Sequence, residues 1–188
     1  MIVKTGRFGE LKVAESEVIR IERGIIGFSE YQNFVVVDPG DETLIVWLQS
    51  LDRPDMAFPL LEPKVYKPDY RVKLSAADQR ELELEKIGAH AAVFGILTIP
   101  PHDITKMSAN LKAPLVINLK SQKAKQVVLQ ENEYGIHFEM FTALKSHIMT
   151  IQSQQKQDQS NSLEETSSSP LAIELNQLTP FEGIELLA

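Results

Sequence analysis

Residues 44–62 read LIVWLQSLDRPDMAFPLLE, and this stretch decides the fold. Leu44, Val46 and Leu48 fall on one face of an extended chain; Ile45, Trp47 and Gln49 fall on the other, because side chains alternate along a strand. Arg53-Pro54-Asp55 supplies a turn, and residues 56–61 return as a second strand. A strand that is apolar on both faces is covered on both sides or offers one side to a partner. The stretch therefore predicts a hairpin through the middle of a sheet.

Short β-rich runs with turn signals between them recur on either side of it. They cover residues 2–4, 10–14, 18–21, 34–38, 43–49, 71–74, 91–99, 115–119, 126–130 and 135–140. Residues 6–9 would join the first two as a hairpin, Pro39-Gly40-Asp41 is a turn, and residues 121–125 would close the pair 115–119 and 126–130. One helix is predicted over 76–87. Ser75 can cap it, Asp78 sits at its third position, and Gly88 follows its end. Many short strands with one short helix predict a mainly β fold, a small antiparallel β-barrel-like domain.

The composition changes near residue 150. Residues 152–169 read QSQQKQDQSNSLEETSSS, with Leu163 as the one apolar residue. Such a segment buries too little apolar surface to offset its ordering entropy. The division expected is a barrel domain over 1–148, a disordered Gln/Ser-rich linker over 149–169, and an apolar segment over 170–188. In that last segment Leu171, Glu174, Leu175 and Leu178 have helical spacing.

Of the net charge of −7, residues 151–188 carry −5, from one Lys against six Asp/Glu, and residues 1–150 carry −2. No Lys/Arg cluster offers a phosphate-binding face; the densest is Lys120, Lys123 and Lys125, in a predicted turn. The chain has no cysteine, which excludes disulfides, thiolate metal sites and a cysteine nucleophile, and which fits a reducing cytosol. The N-terminal residues have no signal-peptide h-region, and no apolar run is long enough to span a membrane.

Nothing in the sequence assembles a catalytic or metal site. His90, His102, His137 and His147 show no short metal spacing. His102-Asp103 reads as a loop histidine beside a capping aspartate, with a positioned acid–base pair as the alternative. Gly24-Ile25-Ile26-Gly27 is too short and apolar to cradle phosphate and reads as a positive-φ turn or as close backbone packing. Glu81, Glu83 and Glu85 read as a solvated helix face, or as an acidic contact face for a basic partner. Trp47 reads as a core anchor, with an interface hot spot as the alternative.

The stretches RGIIGFSEYQNFVVVD, VWLQSLDRPDMAFPLLEP, KPDYRVKL and SANLKAPLVINLKSQKAKQVVLQ, with Tyr134 after them, occur in that order. Together they resemble the FliW family of flagellar assembly factors over about residues 2–142. The matched positions include Gly24, Gly27, Phe28, Trp47, Leu48, Gln49, Phe58, Tyr70, Asn110, Leu111, Pro114 and Asn118. The resemblance implies a cytoplasmic protein without enzymatic activity or cofactor. Its implied partners are flagellin and the RNA-binding translational repressor CsrA, which compete for it and so couple flagellin synthesis to export. Gln49, Asp52, Tyr70, Asn110 and Asn118 are the candidate partner-binding residues, Tyr70 with its ring buried and its hydroxyl wet. Oligomeric state is not legible. The competing readings are a small-ligand-binding β-barrel and a β-barrel that binds RNA directly.

Overall fold

A computed structural model describes residues 1–40, 44–84, 90–130, 133–145, 171–173, 177–178 and 180–187. The expected linker, Glu85, Gly88 and His147 lie outside the described residues. The first strands are β1 (Ile2–Thr5), β2 (Gly9–Lys12), β3 (Ile19–Arg20), β4 (Asn33–Asp38), β5 (Val46–Ser50) and β6 (Ala57–Leu61). β7 (Val72–Leu74) leads into helix α1 (Ala76–Glu81), then β8 (Ala91–Thr98) and β9 (Ser108–Asn118). After these come β10 (Ala124–Gln126), β11 (Phe138–Glu139), helix α2 (residues 141–145), β12 (Leu171–Ala172) and β13 (Ile184–Leu186).

Strands β10, β9, β8, β6, β5 and β4 lie side by side in that order, antiparallel throughout. The hairpin of residues 46–61 is β5–β6, with Leu48 opposite Phe58, and it lies mid-sheet as its two apolar faces require. The outer edge of β4 is shared: β3 takes one end and β12 the other. Arg20 then bridges Lys123, and its N–H donates to the Gln122 carbonyl at 2.8 Å. That bridge brings the β3 end of the sheet to the β10 turn, so the sheet forms a nearly closed barrel.

Alternation sorts the side chains into layers. Phe34, Val36, Leu48 and Leu60 point into the barrel with Ile19, Ile21, Leu115 and Ile117. Val35 and Val37 point outward, under Leu11 and Val13 of the N-terminal hairpin, with Trp47 packed at the margin. Phe8 meets the Trp47 ring edge-on at 6.1 Å, and the Arg7 guanidinium lies 3.5 Å from its centre, so Trp47 anchors this layer. Val93 and Val116 face a third cluster with Tyr70, Val72, Leu74, Leu82 and the C-terminal Phe181 and Ile184. Each fully buried side chain of this kind contributes about 1.5–3 kcal/mol.

The structure corrects several expectations. Helix α1 ends at Glu81, well before Gly88, because Glu83 takes φ 54° and so turns both Leu82 and Leu84 into the core. Its N-terminus is as read: the Ser75 hydroxyl accepts from the Asp78 N–H. β10 is Ala124–Gln126 rather than 126–130; beyond it Val127 and Leu129 still donate to the Pro114 and Lys112 carbonyls, alongside β9. β9 begins at Ser108 and bulges between Asn110 and Leu115, where the register against β8 slips. Gly95 lies opposite the slip, and a Cβ there would come within 2.4 Å of the Tyr66 hydroxyl. In the C-terminal segment, Leu171–Ala172 forms a strand where helical spacing had been read.

Candidate protein-binding site

The five sequence candidates are placed in three neighbourhoods. Gln49 is fully buried, and its Nε2 donates to the carbonyls of Ser50, Pro54 and Met56 at 2.9, 3.0 and 2.9 Å, tying down the β5–β6 turn. Asp52, exposed on that turn, accepts from the N–H groups of Gln32 and Asn33 at 2.6 and 2.8 Å, and from Asn33 Nδ2. Partial burial pushes the Asp52 carboxyl up, but these hydrogen bonds outweigh it and hold the group below its ordinary value. Tyr70 corrects the reading of a wet hydroxyl: the whole side chain is buried, and its hydroxyl donates to the Leu111 carbonyl at 2.6 Å. Asn110 Oδ1 accepts from the Ala113 N–H at 2.9 Å, inside the same β9 bulge. Asn118, at the end of β9, donates to the Leu82 carbonyl and accepts from the N–H of Lys120, both at 2.8 Å. All five bond backbone groups at bends of the chain.

A different segment presents apolar surface to solvent. The Gly24 N–H donates to the Ile21 carbonyl at 2.9 Å, and the Phe28 N–H to the Ile25 carbonyl at 2.7 Å. Gly24 and Gly27 take φ 62° and 89°, values that favour glycine. A Cβ on Gly24 would lie 2.4 Å from the Phe28 carbonyl oxygen and 2.7 Å from Ser29 Cα. The turn thus buries Ile25 in the barrel and leaves Ile26 60% exposed. Gln126 locks it from below: Oε1 accepts from the Ile26 N–H at 2.9 Å, and Nε2 donates to the Ala113 carbonyl at 3.0 Å. Phe28, partly exposed, packs edge-on against Phe58 at 5.4 Å.

Beside the turn runs a groove of about 380 Å³, whose lining includes Ile26, Asp78, Glu81, Lys125, Gln126 and Val128. Val128 is 53% exposed. The charges of the groove are paired. Lys125 Nζ lies 2.9 Å from Asp78 and also bonds Glu81, which Arg23 approaches at 3.2 Å. Burial pushes Asp78 up and Lys125 down, yet their mutual pairing, with Ser75 and Glu81, outweighs it: Asp78 is held below its ordinary value and Lys125 above its own. Apolar side chains over a floor of compensated charge suit a protein surface, which needs apolar area for affinity and a polar rim for specificity. The signal in the sequence was the pair of glycines around two isoleucines; the exposure of Ile26 needed the fold.

The alternatives find less support. Lys123 pairs with Glu83 at 2.9 Å and Glu22 at 3.7 Å, so with Lys125 it is committed to carboxylates rather than open to phosphate. Among the described residues, tyrosines apart, the buried polar side chains are Gln49 and Ser50 at the end of β5 and Ser108 and Asn118 at the two ends of β9, so these four do not converge inside the barrel. Among the described residues no group of three His, Asp or Glu is placed to hold a metal. Asp103 accepts from the Thr105 N–H at 3.1 Å and pairs with Lys106, the capping role read from the sequence. No helix of the described residues is long and apolar enough to cross a membrane.

The chain is similar to known proteins over most of its length. The family model described as FliW protein matches residues 2–140. A flagellar assembly factor FliW of Bdellovibrio bacteriovorus is 38% identical over 149 residues, 79% of this chain and 84% of that protein. The FliW of Caldanaerobacter subterraneus is 37% identical over 147 residues, 78% of this chain and 97% of its own. A crystal structure of the flagellar assembly factor FliW superimposes with a TM-score of 0.69 at 31% identity, covering 75% of this chain and 97% of that one. With motif, fold and relatives in agreement over the whole barrel, the chain belongs to the FliW family.

Proposed function

We propose that this protein is a cytoplasmic flagellar assembly factor that works by occupancy alone. It binds flagellin; when flagellin has been exported, it binds the translational repressor CsrA instead and keeps it from RNA. The two ligands exclude one another, so the level of unexported flagellin sets the fraction of free repressor. Binding is the whole activity, without catalysis or cofactor.

The observation that carries this reading is Ile26, held 60% exposed on a hydrogen-bonded, glycine-built turn beside Val128. An apolar side chain fixed outward loses little entropy on docking, which makes it an anchor. The buried Gln49, Tyr70 and Asn118 and the half-buried Asn110 serve the site by fixing the bends of the barrel that carries it, and Asp52 does the same from the surface.

Size-exclusion chromatography of the full chain with flagellin, CsrA and a CsrA-binding RNA tests the reading. We expect separate complexes with flagellin and with CsrA, and release of CsrA as flagellin is added. Failure of both proteins to co-elute, or direct co-elution of RNA, would overturn it.

A further inference from the structure

The C-terminal segment lies outside the family match at residues 2–140, yet it completes part of the structure. β13 adds in parallel to β7, with Ile184 opposite Val72 and Leu186 opposite Leu74. The Val72 N–H donates to the Gly183 carbonyl, and the Leu187 N–H to the Leu74 carbonyl, both at 2.9 Å. Among the described residues β7 has no other strand partner, so this segment alone covers its edge. Phe181 is 1% exposed, edge-on to Tyr70 at 6.3 Å, with its N–H donating to the Ala91 carbonyl at 2.7 Å. The Lys64 ammonium lies 5.2 Å from that ring and bonds the Glu182 carbonyl; Lys73 approaches Glu185 at 4.0 Å. Gln79 Nε2 donates to the Leu187 carbonyl at 2.8 Å.

These contacts describe a peptide slot. An open strand edge gives backbone hydrogen bonds and alternate pockets read side chains, as in peptide recognition by strand addition. The pockets take an aromatic residue, then aliphatic residues three and five positions later: Phe181, Ile184 and Leu186. Lys73 favours an acidic residue between the two aliphatic ones, as Glu185 shows, whereas Lys64 holds the peptide backbone just after the aromatic residue. Residues 146–170 are a Gln/Ser-rich stretch, after which the chain pairs with β4 through β12 and then reaches the slot.

We propose that residues 181–186 are a tethered internal ligand, and that the β7 slot is a second protein-binding site. Its partner is an extended segment of another protein, with an aromatic residue, aliphatic residues three and five positions on, and an acidic residue between the two aliphatic ones. Binding there requires the tail to leave. The inference stands apart from the role of Ile26.

Fluorescence anisotropy with a labelled peptide of residues 178–188 tests it. The peptide binds the full-length double variant Phe181→Asp/Ile184→Asp at least tenfold more tightly than wild type, and the same peptide carrying both substitutions binds neither. Equal weak binding to the folded variant and wild type would overturn the proposal. Hydrogen exchange on the wild-type chain covers the case in which the variant fails to fold. The amides of Phe181 and Leu187 should exchange at least tenfold faster than those of β8 and β9. Equal protection would make the segment a fixed part of the core and end the proposal. So would a wild-type dimer that the double variant dissolves, since the occupant would then be the tail of a second copy.

Discussion

The turn at Gly24–Ser29 and the segment at Phe181–Leu186 both bring apolar side chains to the periphery of the same barrel, with opposite outcomes. In the turn, short backbone hydrogen bonds and Gln126 hold the chain in place while Ile26 points to solvent. In the tail, the backbone joins β7 as a strand and Phe181 points inward against Tyr70. Both stretches are apolar and contain glycine, so composition does not separate them. What separates them is where the backbone finds its hydrogen-bond partners. A turn satisfied within itself can leave its side chains outside; a strand satisfied by a neighbouring edge carries its side chains onto the layer beneath.

The largest effect on stability should come from closing the turn to its own geometry. Gly24→Val places a Cβ 2.4 Å from the Phe28 carbonyl at φ 62°, and we expect a loss of about 3 kcal/mol or more in urea unfolding. A loss below about 0.5 kcal/mol would mean that the turn is not rigid. Phe181→Ala sharpens the other side of the comparison. A permanently buried Phe would cost about 3–5 kcal/mol, whereas a segment that opens on its own should cost about 1–2 kcal/mol of global stability. A value at the upper end would place the tail in the cooperative core.

The floor of the groove gives a smaller, pH-dependent effect. Asp78 has its folded pKa below the ordinary 3.8, so its contribution is present above that value and is lost as pH falls through the folded pKa. Lys125 is raised above 10.5, so its contribution is present below that value and is lost as pH rises through the folded pKa. Asp78→Asn should therefore cost about 1 kcal/mol at neutral pH and progressively less below about pH 4. A cost independent of pH would show that the ion pair is not what joins α1 to β10. The smallest effect on stability belongs to Ile26→Asp, within about 0.5 kcal/mol, because the side chain already lies in solvent.

The central hairpin was legible because two short runs apolar on both faces flank a turn at 53–55 that is local in sequence. The early end of α1 was not. Leu82-Glu83-Leu84 alternates like a strand inside a helix-favouring run, and only the core waiting for both leucines decides between them. The pairing of β13 with β7 joins residues more than a hundred positions apart, so no window of sequence contains it. At the site the contrast is sharper. Gln49 and Asn118 stood out as polar residues in family motifs, but their partners are backbone carbonyls of bends that exist only once the chain is folded. Ile26 looked like one apolar residue among others, because exposure is a property of the fold and not of the residue.

Titration calorimetry of wild type and Ile26→Asp with flagellin bears most directly on the proposal that the open turn is the partner anchor. The account predicts affinity at least about thirtyfold weaker for the variant, the loss of an interface hot spot of about 2 kcal/mol, with the unfolding midpoint unchanged. Affinity within a factor of about two of wild type would contradict it.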